Sequence, residues 1–199
     1  NSCRRRSRSA GRDGIISDSL DSHLIVSPAG ELFWRGKKMR CALGRSGVFT
    51  DKKEGDGATP AGDFPVREIW WRTDRVQPFE SRLPVRPIME DDGWCDDPGD
   101  PRYNRHVKIP YPGSHEKLWR EDNLYDIFIA LGHNDDPPEP GRGSAIFLHI
   151  VAENYPPTEG CIAVAFDDLV WLAREIRPET MVRVLALAED FTGPGLDSG

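Results

Sequence analysis

The 199-residue sequence predicts a mainly β domain with one or two short helices and long loops. Three observations carry this. The 19 Gly and 17 Pro punctuate the middle of the chain so often that no long helical period survives there. Short apolar runs bounded by turn residues recur along the chain. Helical spacing is found in one stretch near the C-terminus, through Leu169, Val170, Leu172, Ala173 and Ile176. At 38% apolar content the length suits a single domain with a real core.

The elements follow in order. Residues 1–18, rich in Ser, Gly and Arg and carrying Arg4, Arg5, Arg6 and Arg8, are expected to be a disordered basic arm. The folded domain is expected over residues 19–190, with 191–199 a flexible tail. Residues 23–26 and 32–34, either side of Pro28-Ala29-Gly30-Glu31, predict an opening hairpin, and residues 39–44 continue its second strand. A charged loop at 51–57 precedes the turn Thr59-Pro60-Ala61-Gly62-Asp63-Phe64 and a strand over 65–71. Residues 73–117 lack periodicity, but their Trp and Tyr content argues for a functional loop rather than a disordered one. The apolar runs 124–131 and 144–151 read as buried neighbouring strands. Asp167 or Asp168 is expected to cap a helix that ends before Pro178, and residues 181–187 form a closing strand.

Composition excludes some functions. Net charge is −7 and the basic residues are scattered, so no nucleic-acid footprint is present. No apolar run approaches the roughly 18 residues of a membrane span, so no membrane insertion is expected of the chain as given. Cys3, Cys41, Cys95 and Cys161 are too widely spaced for a dense disulfide framework, although a Cys41–Cys95 bridge stays open. A metal site from His149, Cys161 and Cys95 or His133 would lack any ligand pair at motif distance, so neither metal nor other cofactor is expected.

The chemistry concentrates where His149 ends one predicted buried strand and Cys161 begins the next. Adjacent strands lie about 5 Å apart, the separation that a Cys/His pair needs. A thiol is mostly protonated at neutral pH, so a cysteine nucleophile requires an imidazole to take its proton and to sit as imidazolium beside the thiolate. Gly160 lets a substrate carbonyl approach the backbone, and the Gly160 and Cys161 amides, flanked by Thr158, are expected to hold an oxyanion.

His149 followed by Thr158-Glu159-Gly160-Cys161-Ile162 resembles the signature of the YkuD-type L,D-transpeptidases, in which a His precedes an S/T-x-G-C motif. Gly57-Ala58-Thr59-Pro60-Ala61-Gly62-Asp63-Phe64 is similar to that family's T-P-x-G-x-F turn, in the same order along the chain. The resemblance spans roughly residues 23 to 187. Glu159 and Ala163 stand where the best-known members have His and Arg. Together with Gly44-Arg45-Ser46-Gly47, residues 92–98 and Ser114-His115-Glu116, they resemble a divergent proteobacterial branch.

The resemblance implies a β-sandwich or barrel that attacks a peptidoglycan stem peptide at an L-to-D bond, forms a thioester on the cysteine and passes the acyl group to an amine. The usual donor bond follows diaminopimelate at position three, giving 3-3 cross-links; the divergent branch is associated with 1-3 cross-links donated by L-Ala at position one. Such an enzyme works in the periplasm or cell envelope. A family-typical orienter of His149 is a backbone carbonyl, with His115, His133 and Glu159 as side-chain candidates. Arg142 is a candidate for pairing a stem carboxylate, and Trp94, Asp96, Tyr103 and Asn104 for lining the donor cleft. Two other readings stay open: a carboxypeptidase or endopeptidase that uses water as acceptor, and a noncatalytic peptidoglycan-binding module that has kept the fold. Oligomeric state is not legible.

Overall fold

A computed structural model describes residues 22–186; the expected arm at 1–18 and tail at 191–199 lie outside them. β1 (His23–Ser27) and β2 (Glu31–Trp34) form the expected hairpin. The next strand does not continue β2. Arg35 and Gly36 both take positive φ, 46° and 74°, the geometry of a tight two-residue turn. β3 (Lys37–Ala42) therefore returns antiparallel to β2.

A short parallel pair, β4 (Val48–Phe49) and β5 (Thr59–Pro60), leads into the ten-residue β6 (Gly62–Trp71) and then β7 (Val85–Pro87). The segment expected to be one long loop contains a small antiparallel sheet of β8 (Asp92–Cys95), β9 (His106–Lys108) and β10 (His115–Lys117), in the order β10-β8-β9. The strands are three or four residues long, too short to show a period against the surrounding Asp and Pro. β11 (Ile127–Leu131), β12 (Phe147–Ile150), β13 (Ile162–Val164), α1 (Phe166–Glu175) and β14 (Met181–Val184) complete the described chain.

The main sheet runs β11-β12-β13-β3-β2-β1-β14-β6-β7, and β6 pairs a second time, with β11. The sheet thus closes on itself as a barrel, with β7 attached to β6. One strand makes this closure because its first residues pair with β14 and the remainder, from Val66 to Trp71, with β11. The interior is filled by fully buried side chains from around the ring: Leu24, Leu32, Ile69, Ile129, Leu148, Ile162 and Val182. α1 buries Leu169, Leu172 and Ala173 against β11 and β12. Its N-cap is Ala165, without a side-chain cap; Asp167 and Asp168 lie in the first turn, where negative charge complements the helix dipole.

β11 and β12 are buried on both faces. Ile127, Ile129, Leu148 and Ile150 fill the barrel, while Phe128, Ala130 and Phe147 join a second cluster with Trp70, Ile88, Leu118, Tyr125 and Ala145. This explains why both strands read as unbroken apolar runs. Much of the second cluster comes from residues 88–125, so the inserted segment covers the outer face of the barrel at β11 and β12. Leu148, with no exposed surface, sits in the barrel wall beside both clusters. Leu148→Ala is expected to lower unfolding free energy by about 3 kcal/mol in urea denaturation, from lost burial plus a residual cavity.

Candidate active site

His149 lies on β12 and Cys161 immediately precedes β13. These strands are parallel, with Leu148 opposite Ile162 and His149 opposite Ala163, so residues 151–161 return to the starting end of the sheet rather than forming a hairpin. Alternation along β12 sends Leu148 and Ile150 into the barrel and His149 outward with Phe147. His149 and Cys161 both line one open cleft of about 510 Å³ on that side.

Thr158 fastens the returning segment. Its N–H donates to the Leu43 carbonyl at 2.9 Å and its carbonyl accepts from the Arg45 N–H at 2.8 Å. Its hydroxyl donates to the Cys161 carbonyl at 2.6 Å and accepts from the Gly160 N–H at 3.2 Å. Gly160, expected to supply an oxyanion amide, thus has that amide engaged in the resting site. Its φ is +136°, and a Cβ would stand 2.7 Å from the Ala58 carbonyl, so no other residue fits without displacement. Ala58 belongs to the earlier Gly/Thr/Pro turn, so the two sequence motifs touch in space. Thr59 of that turn accepts the Gly44 N–H at 2.8 Å.

The His149 imidazole is 5% exposed, and its Nδ1–H donates to the Ile150 carbonyl at 2.8 Å. A carbonyl only accepts, so this bond fixes the proton on Nδ1 and leaves Nε2 as the ring's proton-accepting nitrogen. Burial, reinforced by the Arg120 charge, pulls the imidazole down to about 4. The Cys161 thiol donates to the Ala145 carbonyl at 3.2 Å, and its sulfur accepts the Phe147 N–H at 3.4 Å. Although the residue is partly open to the cleft, burial of its sulfur, reinforced by the Glu116 charge, pushes the thiol up to about 12. Both shifts favour neutral partners. In place of the expected thiolate–imidazolium pair, the site at rest holds a thiol and a neutral imidazole.

The remaining expected residues divide. Thr158 and Glu159 line the cleft, as does Asp96. Glu159 is on the exposed rim, paired with Arg45 at 3.0 Å. Trp94, Tyr103 and Asn104 stand behind the site and are not brought into it. Asn104 is 4% exposed: its Oδ1 accepts from Trp94 Nε1 and the Ala145 N–H, and its Nδ2 donates to the His133 and Asn134 carbonyls. It thereby holds Ala145, at φ 51°, where its carbonyl meets the thiol. The buried Tyr103 hydroxyl donates to Glu54, which does line the cleft. Arg142 lies outside the cleft, exposed and paired with Asp51 at 2.7 Å. His133 donates from Nε2 to the Arg142 carbonyl, and His115 from Nδ1 to the Gly113 carbonyl, so neither orients His149. Cys41 and Cys95 are unbridged and buried.

Glu116, part of the Ser114-His115-Glu116 segment, also lines the cleft, and three cleft residues have no local signal in the sequence: Glu54, Arg120 and Tyr125. The Tyr125 ring packs edge-on to His149 at 5.3 Å, and its hydroxyl donates to Glu116 at 2.5 Å. Glu54 comes from the charged loop before β5, and Arg120 and Tyr125 from the segment between β10 and β11, a long-range convergence that spacing along the chain does not encode. Among the described residues no group of His, Cys, Asp and Glu could hold a metal ion, and no helix is long and apolar enough to cross a membrane.

A raised thiol loses its proton late on the pH scale, so the thiolate fraction of Cys161 at pH 7 should fall below that of a free cysteine. Iodoacetamide labelling of Cys161, followed by peptide mass spectrometry, is expected to be slower than that of a cysteine peptide at pH 7. It should still be climbing at pH 10, whereas a plateau by pH 8 would mean a stabilised thiolate.

No curated protein matches the chain. The family model of the L,D-transpeptidase catalytic domain, YkuD, matches residues 15–184, a span that holds both motifs, the barrel and every residue of the cleft. On that match over most of its length, the chain belongs to the YkuD family of L,D-transpeptidase catalytic domains.

Proposed function

We propose that this protein is a peptidoglycan L,D-transpeptidase working through a thioester on Cys161. The observation that carries the reading is the facing of Cys161 and His149 into one cleft, with the His149 Nδ1–H committed to the Ile150 carbonyl and Nε2 left as base. In this scheme Cys161 Sγ attacks the carbonyl of an L-residue that precedes a D-residue, while its proton passes to His149 Nε2. The imidazolium protonates the departing amine, leaving a thioester and a neutral imidazole. An acceptor amine then attacks the thioester, and the thiolate leaves and is reprotonated.

The donor is a stem peptide, cut after diaminopimelate at position three or after L-Ala at position one, for 3-3 or 1-3 cross-links respectively. Such a substrate puts the enzyme in the periplasm or cell envelope. Water in place of the amine would make the same site a carboxypeptidase or endopeptidase.

The test is incubation of the protein and its Cys161→Ala variant with purified disaccharide tri- and tetrapeptides, followed by mass spectrometry. Dimers formed only by the unsubstituted protein are expected, with fragmentation identifying the donor position. Cysteine-dependent shortened monomers alone would make it a hydrolase, and unchanged substrates with both proteins would favour a noncatalytic binding module.

A further inference from the structure

Aminolysis of a thioester poses a proton problem that the Cys161/His149 pair does not solve by itself. An alkyl amine reaches the site as an ammonium, which has no lone pair to attack with. It must lose one proton before attack and a second as the amide forms, and His149 Nε2 can hold only one at a time. The cleft that Cys161 lines also holds a group suited to the first proton.

Glu116, on β10 of the inserted sheet, lines the same cleft as Cys161 and His149. One of its oxygens, Oε1, accepts the Tyr125 hydroxyl at 2.5 Å, and Tyr125 is the ring that packs against His149. This fixes the carboxyl beside the catalytic pair while the tyrosine occupies only Oε1. The charged groups facing Glu116 are Arg120, Asp96 and Glu54, and its own charge is felt at Cys161. Arg120 is already committed to Asp122 by two bonds of 2.8 and 2.6 Å. Lys52, the other cation of the cleft, is committed to Asp56 and to the Lys53 carbonyl. The buried Oδ1 of Asp96 has no hydrogen-bond partner among the described residues. The cleft therefore offers carboxylates whose cationic neighbours are engaged elsewhere, which suits an incoming ammonium.

We propose that Glu116 is the acceptor-side base of this enzyme: its carboxylate binds the ammonium of the incoming amine and takes one proton from it, so that a neutral amine meets the thioester on Cys161. The step balances. R–NH3+ and Glu116–COO− give R–NH2 and Glu116–COOH. The amine nitrogen bonds to the thioester carbon, and His149 Nε2 takes the second proton. The C–S bond breaks, and the Cys161 thiolate recovers that proton from His149. Glu116 returns its own proton to solvent through the open cleft. Burial raises the Glu116 carboxyl above its ordinary range, and desolvation lowers an ammonium, so the two groups approach one another in basicity inside the site.

This inference rests on the acyl-transfer reading of Cys161, and the experiment separates the two. Thioester formation is followed by intact-protein mass spectrometry, and its aminolysis is timed with two acceptors: a stem-peptide ammonium, and hydroxylamine, which is largely neutral at pH 7. Glu116→Gln keeps an oxygen for Tyr125. It is expected to form thioester at least as fast as the unsubstituted protein, since the charge that raises the Cys161 thiol is gone, but to lose about 100-fold in transfer to the ammonium acceptor at pH 7. Raising the pH should restore that transfer, and transfer to hydroxylamine should change little. Equal loss with both acceptors, a matching loss of thioester formation, or no loss at all would overturn the role of Glu116. Absence of any thioester on the unsubstituted protein would overturn the acyl-transfer reading and this inference with it.

Discussion

β12 is the wall on which both the fold and the site depend, because it is buried on two sides for different reasons. Its inner residues, Leu148 and Ile150, belong to the barrel core, and its outer residues, Phe147 and His149, belong to the surface that the inserted segment covers. Strand alternation makes these demands compatible within four residues. The His149 imidazole is thus set by the packing of the residues on either side of it. A one-residue slip of register would exchange His149 with Leu148 and lose both the core and the site.

The same burial sets the chemistry. A histidine enclosed by Tyr125 and strand backbone is held neutral, and a cysteine sulfur between the Phe147 amide and the Ala145 carbonyl is held as a thiol. A neutral resting pair makes Cys161 slow to alkylate and oxidise, since thiolate is the reactive form. Asn104 contributes from behind by joining Trp94, the 133–134 turn and Ala145 through four hydrogen bonds, so that the carbonyl facing the thiol is fixed by a buried amide.

The barrel strands are legible in the sequence because their signals are local: apolar runs at 124–131 and 144–151 mark β11 and β12. The spacing from His149 to Gly160-Cys161 likewise picks out two residues that the fold places on one cleft. The β2–β3 turn was missed because Arg35 takes a positive φ that its residue type does not advertise. The three-stranded insertion was missed because its strands are short and polar. Trp94, Tyr103 and Asn104 were drawn toward the cleft by their chemistry, whereas their hydrogen bonds hold the cleft from outside. Glu116 and Tyr125, nine residues apart in sequence, come together only because β10 folds onto the outer face of the barrel.

Acyl transfer in this site requires His149 to be a neutral imidazole with its proton on Nδ1. Nitrogen-15 NMR of the histidine-labelled protein, assigned with a His149→Gln variant, reads both the tautomer and the titration midpoint directly. The expected result is a protonated Nδ1, an unprotonated Nε2 and a neutral ring down to pH 5, with a midpoint near 4. A ring protonated on both nitrogens at pH 7, or a neutral ring carrying its proton on Nε2, would contradict it.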